Sequence, residues 1–206
     1  MELHYVENVI NQLPKFKRIP MKDFKIVGLM IVKKDSRRLK DKNWMDFKGK
    51  PMFQWNLEKC LRIFEKVYIS SDYDFILDRA LDLGAVPIKR PLELCREGVP
   101  SVPVFKHAYS KMMVKPNIII SVQGNSPTIK ERLIKEAKEL MERGYDELMT
   151  CHPDFTIYGS IWGVNSYRLE YYEEICGDFY NHKPDVLLVD PSINIHTLGD
   201  FKKAYE

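Results

Sequence analysis

Residues 25–32 read KIVGLMIV and residues 33–43 read KKDSRRLKDKN. The first is an unbroken β-branched and apolar run of strand length, as expected of a strand covered on both faces, and the second is too polar to continue it. Strand therefore gives way to loop at Lys33. From Phe53 the apolar residues fall at 53, 57, 60, 61 and 64, the one-sided spacing of an amphipathic helix, and residues 66–70 (KVYIS) return to a short apolar run. The order is strand, loop, helix, strand.

The alternation continues down the chain. A helix over about 73–83 precedes Gly84 and a short strand, AVPI. A further helix carries Phe105, Ala108, Tyr109, Met112 and Met113 on one stripe and is ended by Pro116 and Asn117. Residues 117–122 (NIIISV) are the most continuous strand; a polar turn, QGNSP (123–127), leads to a helix with Ile134, Ala137, Leu140 and Met141 on one face. Beyond Gly144, DELMTC (146–151) and IYGSIWGV (157–164) read as strands, 167–175 as a helix, and DVLLVD (185–190) and SINI (192–195) as short final strands. Thr197 with Asp200 predicts a capping box for a terminal helix. The fold class is α/β: a Rossmann-like three-layer α/β/α arrangement with a mainly parallel sheet. Residues 25–206 form one domain, and residues 1–24, with Val6, Val9, Ile10 and Leu13 on one helical face, form an N-terminal helical extension.

Composition narrows the function classes. The chain has 206 residues, 45% hydrophobic and 30% charged, enough for a core without staples, and no apolar run approaches the roughly 20 residues of a bilayer span. Cys60, Cys95, Cys151 and Cys176 make no C-x-x-C pair, so they read as reduced thiols in a cytoplasmic protein. The net charge of +3 is uneven: residues 1–50 carry 13 Lys/Arg against 6 Asp/Glu, whereas residues 51–206 carry 19 against 23. Basic charge gathered in one short stretch without interleaved aromatics suits a compact polyanion better than nucleic acid.

In an open parallel sheet the ligand crevice lies beyond the carboxyl ends of the strands, where the loops after 25–32, 66–70 and 117–122 should meet. Lys33, Lys34, Arg37, Arg38, Lys40 and Lys42 offer six cations within ten positions, enough for a nucleoside triphosphate, although a solvated charged loop would have the same letters. Gln123, Gly124, Asn125 and Ser126 supply close backbone approach and hydrogen-bonding side chains for a sugar or base; a plain strand-to-helix turn explains them equally well.

These segments resemble the cytidylyltransferases that activate acidic sugars, the acylneuraminate and 3-deoxy-manno-octulosonate cytidylyltransferase family (CMP-sugar synthetases). The family's A-R-S-G-S-K-R-L-P-N-K-N loop is matched by V-K-K-D-S-R-R-L-K-D-K-N (32–43), and its G-K-P by Gly49, Lys50 and Pro51. V-Y-I-S-S-D-Y (67–73), R-P-L-E-L-C (90–95), Gln123 to Pro127 and N-I-H-T-L-G-D-F (194–201) follow in the same order. The resemblance implies a nucleotide-diphospho-sugar transferase fold, a homodimer, and transfer of CMP from CTP to an acidic keto-sugar with release of pyrophosphate. By position, Lys33, Ser36, Arg37 and Lys42 would hold the phosphates, with Lys33, Arg37 and Lys42 as the catalytic set. Asn43 would sit near the ribose or phosphate, Arg90 and Ser101 would read the cytosine, and Gln123 with Asn125 would face the sugar. Blander roles are a surface pair of Arg90 with Glu93, a helix N-cap at Ser101 and a turn residue at Gln123.

The departures fall at the expected centre. The family's closing D-x-D carries magnesium; here those positions are Asn194 and His196, which make poor ligands for a hard cation. His152, Cys151 and His182 are too scattered to complete a zinc set, so His196 reads instead as a hydrogen-bonded residue. Asp35 stands where the family has glycine, with Arg37 or Arg38 able to pair with it. A second reading follows: a nucleotide- or sugar-nucleotide-binding relative that has lost catalysis and serves a regulatory or scaffolding role.

Overall fold

The central strand β1 (Ile26–Ile31) is flanked on both sides by parallel partners, β4 (Val67–Ser71) and β6 (Ile118–Val122), which is why its sequence is apolar throughout. The computed structural model describes residues 25–36 and 38–206; the expected N-terminal extension and Arg37 lie outside the described residues. β2 (Asp46–Phe47) and β3 (Lys50–Pro51) form a small antiparallel ribbon. β5 (Val86–Lys89), β7 (Glu147–Cys151), β8 (Ile157–Asn165) and β9 (Val186–Val189) complete a seven-stranded sheet among the described residues, in the order β5-β4-β1-β6-β8-β7-β9. Only β8 runs against the others in that sheet, pairing antiparallel with both β6 and β7.

Alternate residues of a strand face opposite ways, and here they divide between two cores. Met30, Ile118, Ile120 and Val122 meet α1 (Met52–Ile63), α2 (Asp74–Asp82) and α4 (Glu131–Glu142) through Phe53, Leu57, Ile76, Ala80, Ile134 and Ala137. Val27, Leu29 and Ile119 face α3 (Ser101–Lys111), α5 (Ser166–Glu170) and α6 (Tyr172–Ile175) through Phe105, Ala108, Leu169 and Tyr172. The three layers are as the sequence predicts. The last helix, α7 (Leu198–Tyr205), closes a third cluster of Phe47, Met52, Ile195 and Ala204 and starts from the expected capping box of Thr197 and Asp200.

Three local readings are corrected. Residues 192–195 form no strand: Ile195 donates its N–H to the carbonyl of Asn125 (2.9 Å) and Ile193 to Thr128 Oγ1 (2.9 Å), so the segment lies across the loop after β6. Residues 167–175 are two short helices separated at Tyr171 (φ −106°, ψ 31°). α3 stops at Lys111, leaving Met112 buried and Met113 98% exposed.

The G-K-P motif acquires a mechanical explanation. Lys48 (φ 51°) and Gly49 (φ 88°) are the two central residues of the β2–β3 turn, the left-handed pair a tight hairpin requires, and Pro51 caps the start of α1. Replacing Gly49 by Ala costs about 1 kcal/mol through left-handed strain, measurable by urea denaturation.

Candidate functional site

The parallel strands end at one edge of the sheet, and the loop after β1 is built back against that edge. Val32 extends the β1–β4 pairing by one bond (N–H to Ser70 O, 2.9 Å), and the Lys34 N–H then donates to Asp72 Oδ1 (2.9 Å). Asn43, 8% exposed, ties the loop's two ends: its amide donates to the Lys33 carbonyl (2.9 Å), and its own carbonyl accepts from the Phe53 N–H (2.9 Å). Between these ends lies a cavity of about 480 Å³ lined by Lys33, Asp35, Ser36, Arg38, Lys42 and Asn43. A freely solvated loop would not bury two polar side chains.

Lys42 is the telling residue. It is 9% exposed, and its Nζ donates to the Ile195 carbonyl (3.0 Å) and lies 3.4 Å from His196 Nδ1. Burial, then the charges of Arg38 and Lys33, pull its pKa down to about 8 against the opposing pull of Asp200. The protein thus holds an ammonium where water is scarce and cations are its neighbours, an arrangement that an incoming anion would relieve.

His196 is held from both sides. Arg38 Nη2 donates to its Nδ1 (2.7 Å), and its backbone N–H donates to Asp200 Oδ2 (3.0 Å). Burial, followed by the charges of Lys42 and Arg38, lowers its pKa to about 4, Asp200 opposing, so the ring is neutral at pH 7. A guanidinium only donates; Nδ1 must therefore carry the lone pair and Nε2 the proton.

Beside it runs a relay of amides. Gln123 Nε2 donates to the carbonyl of Gly159 (3.0 Å) and, more weakly, of Tyr158 (3.4 Å); Asn194 Nδ2 donates to Gln123 Oε1 (3.1 Å). Asn125 Nδ2 donates in turn to Asn194 Oδ1 and to the Ile195 carbonyl (3.2 Å). Gly124 permits this turn because a Cβ there would stand 3.1 Å from Phe53 Cβ and 3.2 Å from Val32 Cγ2. From α1, Asn56 Nδ2 donates to the carbonyls of Gln123 and Ser126, both at 2.8 Å. Changing Asn56 to Ala strips the Gln123 carbonyl of its side-chain donor and leaves the Ser126 carbonyl with only the Ile129 N–H (3.1 Å), and should lower stability by about 1–2 kcal/mol in urea denaturation.

The structure brings Lys33, Ser36, Lys42 and Asn43 around one cavity, links Gln123, Asn125 and Asn194 in one relay, and joins His196 to the cavity through Arg38 and Lys42. Arg90 is no surface partner of Glu93: it is 4% exposed, and its guanidinium donates to the Ser70 carbonyl (2.6 Å), to Ser70 Oγ (3.2 Å) and to the Val32 carbonyl (3.5 Å). Burial lowers its pKa from the ordinary value. It clamps the ends of β1 and β4. Ser101 opens α3 directly after Pro100, which occupies the N-cap position.

Sequence reading missed a second polar group at this edge. Asp190, 1% exposed, accepts from Tyr158 OH (2.5 Å), Ser160 Oγ (2.5 Å), Ser192 Oγ (2.7 Å) and the Ser192 N–H (2.8 Å). His152 stacks on Tyr158 with ring centroids 4.0 Å apart. Burial, reinforced by Asp190, pushes the Tyr158 phenol up, so it acts as a donor. The signal was present only as an acidic residue ending an apolar run.

The residues at the expected metal position do not fit magnesium. Asn194 Oδ1 is turned to Asn125, and the neutral His196 ring gives its lone pair to Arg38 and presents an N–H on the other side. Two cationic side chains stand where anionic oxygens would be needed.

The architecture matches that of nucleotidyltransferases. A CMP-2-keto-3-deoxy-manno-octonic acid synthetase complexed with CTP superposes with a TM-score of 0.70 at 15% identity, over 88% of this chain and 97% of that one. A Mycobacterium tuberculosis protein in complex with manganese gives 0.63 at 12% identity, over 88% and 98%. At these identities the likeness establishes the fold. Residues 30–168 match the cytidylyltransferase family, and the chain belongs to it. Among its sequence relatives is a Helicobacter pylori protein, "Pseudaminic acid cytidylyltransferase and UDP-2,4-diacetamido-2,4,6-trideoxy-beta-L-altropyranose hydrolase", 29% identical over 133 residues that make up 62% of this chain and 26% of the relative. The chain spans between about a quarter and about half the length of the first relatives it matches. Among the described residues no helix is long and apolar enough to cross a membrane.

Proposed function

We propose that this chain is a nucleotidyltransferase of the CMP-sugar synthetase type, which takes CTP in the cavity after β1 and transfers CMP to an acidic keto-sugar. The anomeric hydroxyl oxygen attacks the α-phosphorus, the bond from that phosphorus to the bridging oxygen breaks, and pyrophosphate leaves with the electron pair while the hydroxyl proton passes to solvent. Such a step needs alignment and neutralisation of charge more than a nucleophilic side chain. Lys33, Ser36, Arg37 and Lys42 hold the phosphates; Arg38 joins them. Asn43 keeps the loop in shape near the ribose, Arg90 and Ser101 form the cytosine end, and Gln123 with Asn125 faces the acceptor. A homodimer in the cytoplasm belongs to the same reading.

The observation that supports it is the nearly buried Lys42 ammonium in a cavity lined by further cations. The test is a thermal-shift screen of nucleotides followed by a pyrophosphate-release assay with CTP and keto-sugar acids. A selective rise in melting temperature with CTP, and release that depends on the sugar acid, are expected. No shift with any triphosphate sinks the reading.

A second reading, a relative that binds nucleotide without transferring it, is favoured by the tied-off Asn194 and His196. It predicts the CTP shift without pyrophosphate release.

A further inference from the structure

Two positions at the edge of the cavity decide how a triphosphate can be held there. Where the resembling family carries paired carboxylates, this chain has Asn194 and His196, and each is already committed. Asn194 offers its oxygen to Asn125 and its N–H to Gln123. His196 accepts from Arg38 (2.7 Å), lies 3.4 Å from Lys42 Nζ, and is fixed from behind by its backbone bond to Asp200 (3.0 Å). A divalent ion at this point would meet a guanidinium and an ammonium and find no free lone pair on the imidazole. Its neighbours would repel it by the same Coulomb interaction that attracts a phosphate.

The polarity of the position is thus inverted from acceptor to donor. Lys33, Arg38, Lys42 and Ser36 line the cavity with N–H and O–H groups. Asp35 lines it as well and is a carboxylate that a phosphate would have to avoid or that a nearby cation must cover. The Asp200 carboxylate, which faces His196, accepts at Oδ2 from the backbone N–H groups of His196 and Thr197 and from the Thr197 hydroxyl.

We propose that this chain binds the triphosphate of its nucleotide directly, without a divalent cation, the Lys42 ammonium and the Arg38 guanidinium braced on His196 taking the ion's place. This rests on the reading of the cavity as a CTP site. Free CTP carries more negative charge than its magnesium complex, so a site built from side-chain cations prefers the free form.

The experiment is calorimetric titration of the full chain with CTP in EDTA and in MgCl₂ at matched ionic strength. CTP is expected to bind at least as tightly in EDTA as in magnesium. Tightening of more than about threefold on adding magnesium overturns the inference while leaving the CTP site standing. No CTP binding in either buffer overturns the inference together with the proposed function. The paired variant Asn194→Asp with His196→Asp supplies the converse: its EDTA affinity is expected to fall by about tenfold or more and magnesium to restore it. A folded double variant, verified by its thermal melt, that binds CTP in EDTA as the parent does would show that these positions do not set metal dependence, and overturns the proposal. If that variant does not fold, the parent comparison of EDTA with magnesium decides alone.

Discussion

Changing Lys42 to Met is expected to weaken CTP binding by about 10- to 150-fold, the equivalent of the ~1.5–3 kcal/mol carried by hydrogen bonds to a charged group, while raising the melting temperature at pH 7. The two effects have opposite signs for one reason. Lys42 has its pKa lowered to about 8, by burial first and by Arg38 and Lys33 next. In the unfolded chain it titrates near the ordinary value, so between about 8 and that value the unfolded state binds more protons and stability rises with pH. Below pH 8 both states are protonated, and the whole penalty of the crowded ammonium acts against folding. Met keeps much of the stem's packing and removes the charge. The carbonyl that Lys42 serves, that of Ile195, retains the Asn125 amide (3.2 Å) as donor. The gap between the melting curves of variant and parent should therefore be largest near pH 7 and shrink toward pH 10. A variant that melts lower and binds CTP unchanged would make Lys42 a structural residue and remove the main support for the phosphate site.

That conflict between stability and binding was partly legible in the sequence, because cation density directly after an apolar strand is a local pattern. Strand β1, helix α1 and strand β6 were legible for the same reason: their apolar spacing is set by burial on known faces, and the Thr197–Asp200 box is a contact between near neighbours in the chain. What could not be read depends on distant parts of the chain. Alternation in residues 157–164 indicates a strand but not its direction, and β8 proved antiparallel. Residues 192–195 are apolar and polar in strand-like alternation, yet their partners are the Asn125 carbonyl and the Thr128 hydroxyl rather than a ladder. Arg90 read as a cytosine contact by resemblance, with a surface pair to Glu93 as the blander role, because nothing in R-P-L-E-L-C reveals that Ser70 and Val32 would surround it. Arg38, His196 and Asp200 are separated by more than 150 residues at one end and four at the other; only folding makes them a unit.

The same limit hid a buried carboxylate that ties several elements together. Glu147 begins β7, at the sheet edge opposite the phosphate cavity, and its side chain is fully buried. Its Oε1 accepts from Trp162 Nε1 (2.7 Å) and Tyr172 OH (2.9 Å); its Oε2 faces Arg168 Nη1 (3.2 Å) and His182 Nε2 (2.7 Å). Arg168 also reaches Asp185 (3.3 Å), whose other oxygen accepts the N–H groups of Asp146 (2.9 Å) and Glu147 (3.0 Å). One carboxylate thus joins β7, β8, α5, α6 and the segment carrying His182. Truncating it to Ala leaves the Trp162 indole N–H in a dry interior without its acceptor, the Tyr172 phenol with only His182 Nε2 (3.1 Å) and the Arg168 Nη1 with only Asp185 (3.3 Å), and breaking a buried pair in this way costs about 3–5 kcal/mol. Gln keeps one oxygen for Trp162 and Tyr172 but turns an NH₂ toward Arg168 and His182, so Glu147→Gln should lose less than Glu147→Ala and more than a surface change. Urea denaturation of the two variants and the parent measures the order, and CTP affinity of whatever folds should match the parent because the cluster is remote from the cationic loop. Equal stability of all three proteins would mean that the carboxylate's desolvation cancels its bonds, and that the apolar contacts of Trp162 and Tyr172 alone hold this half of the sheet together.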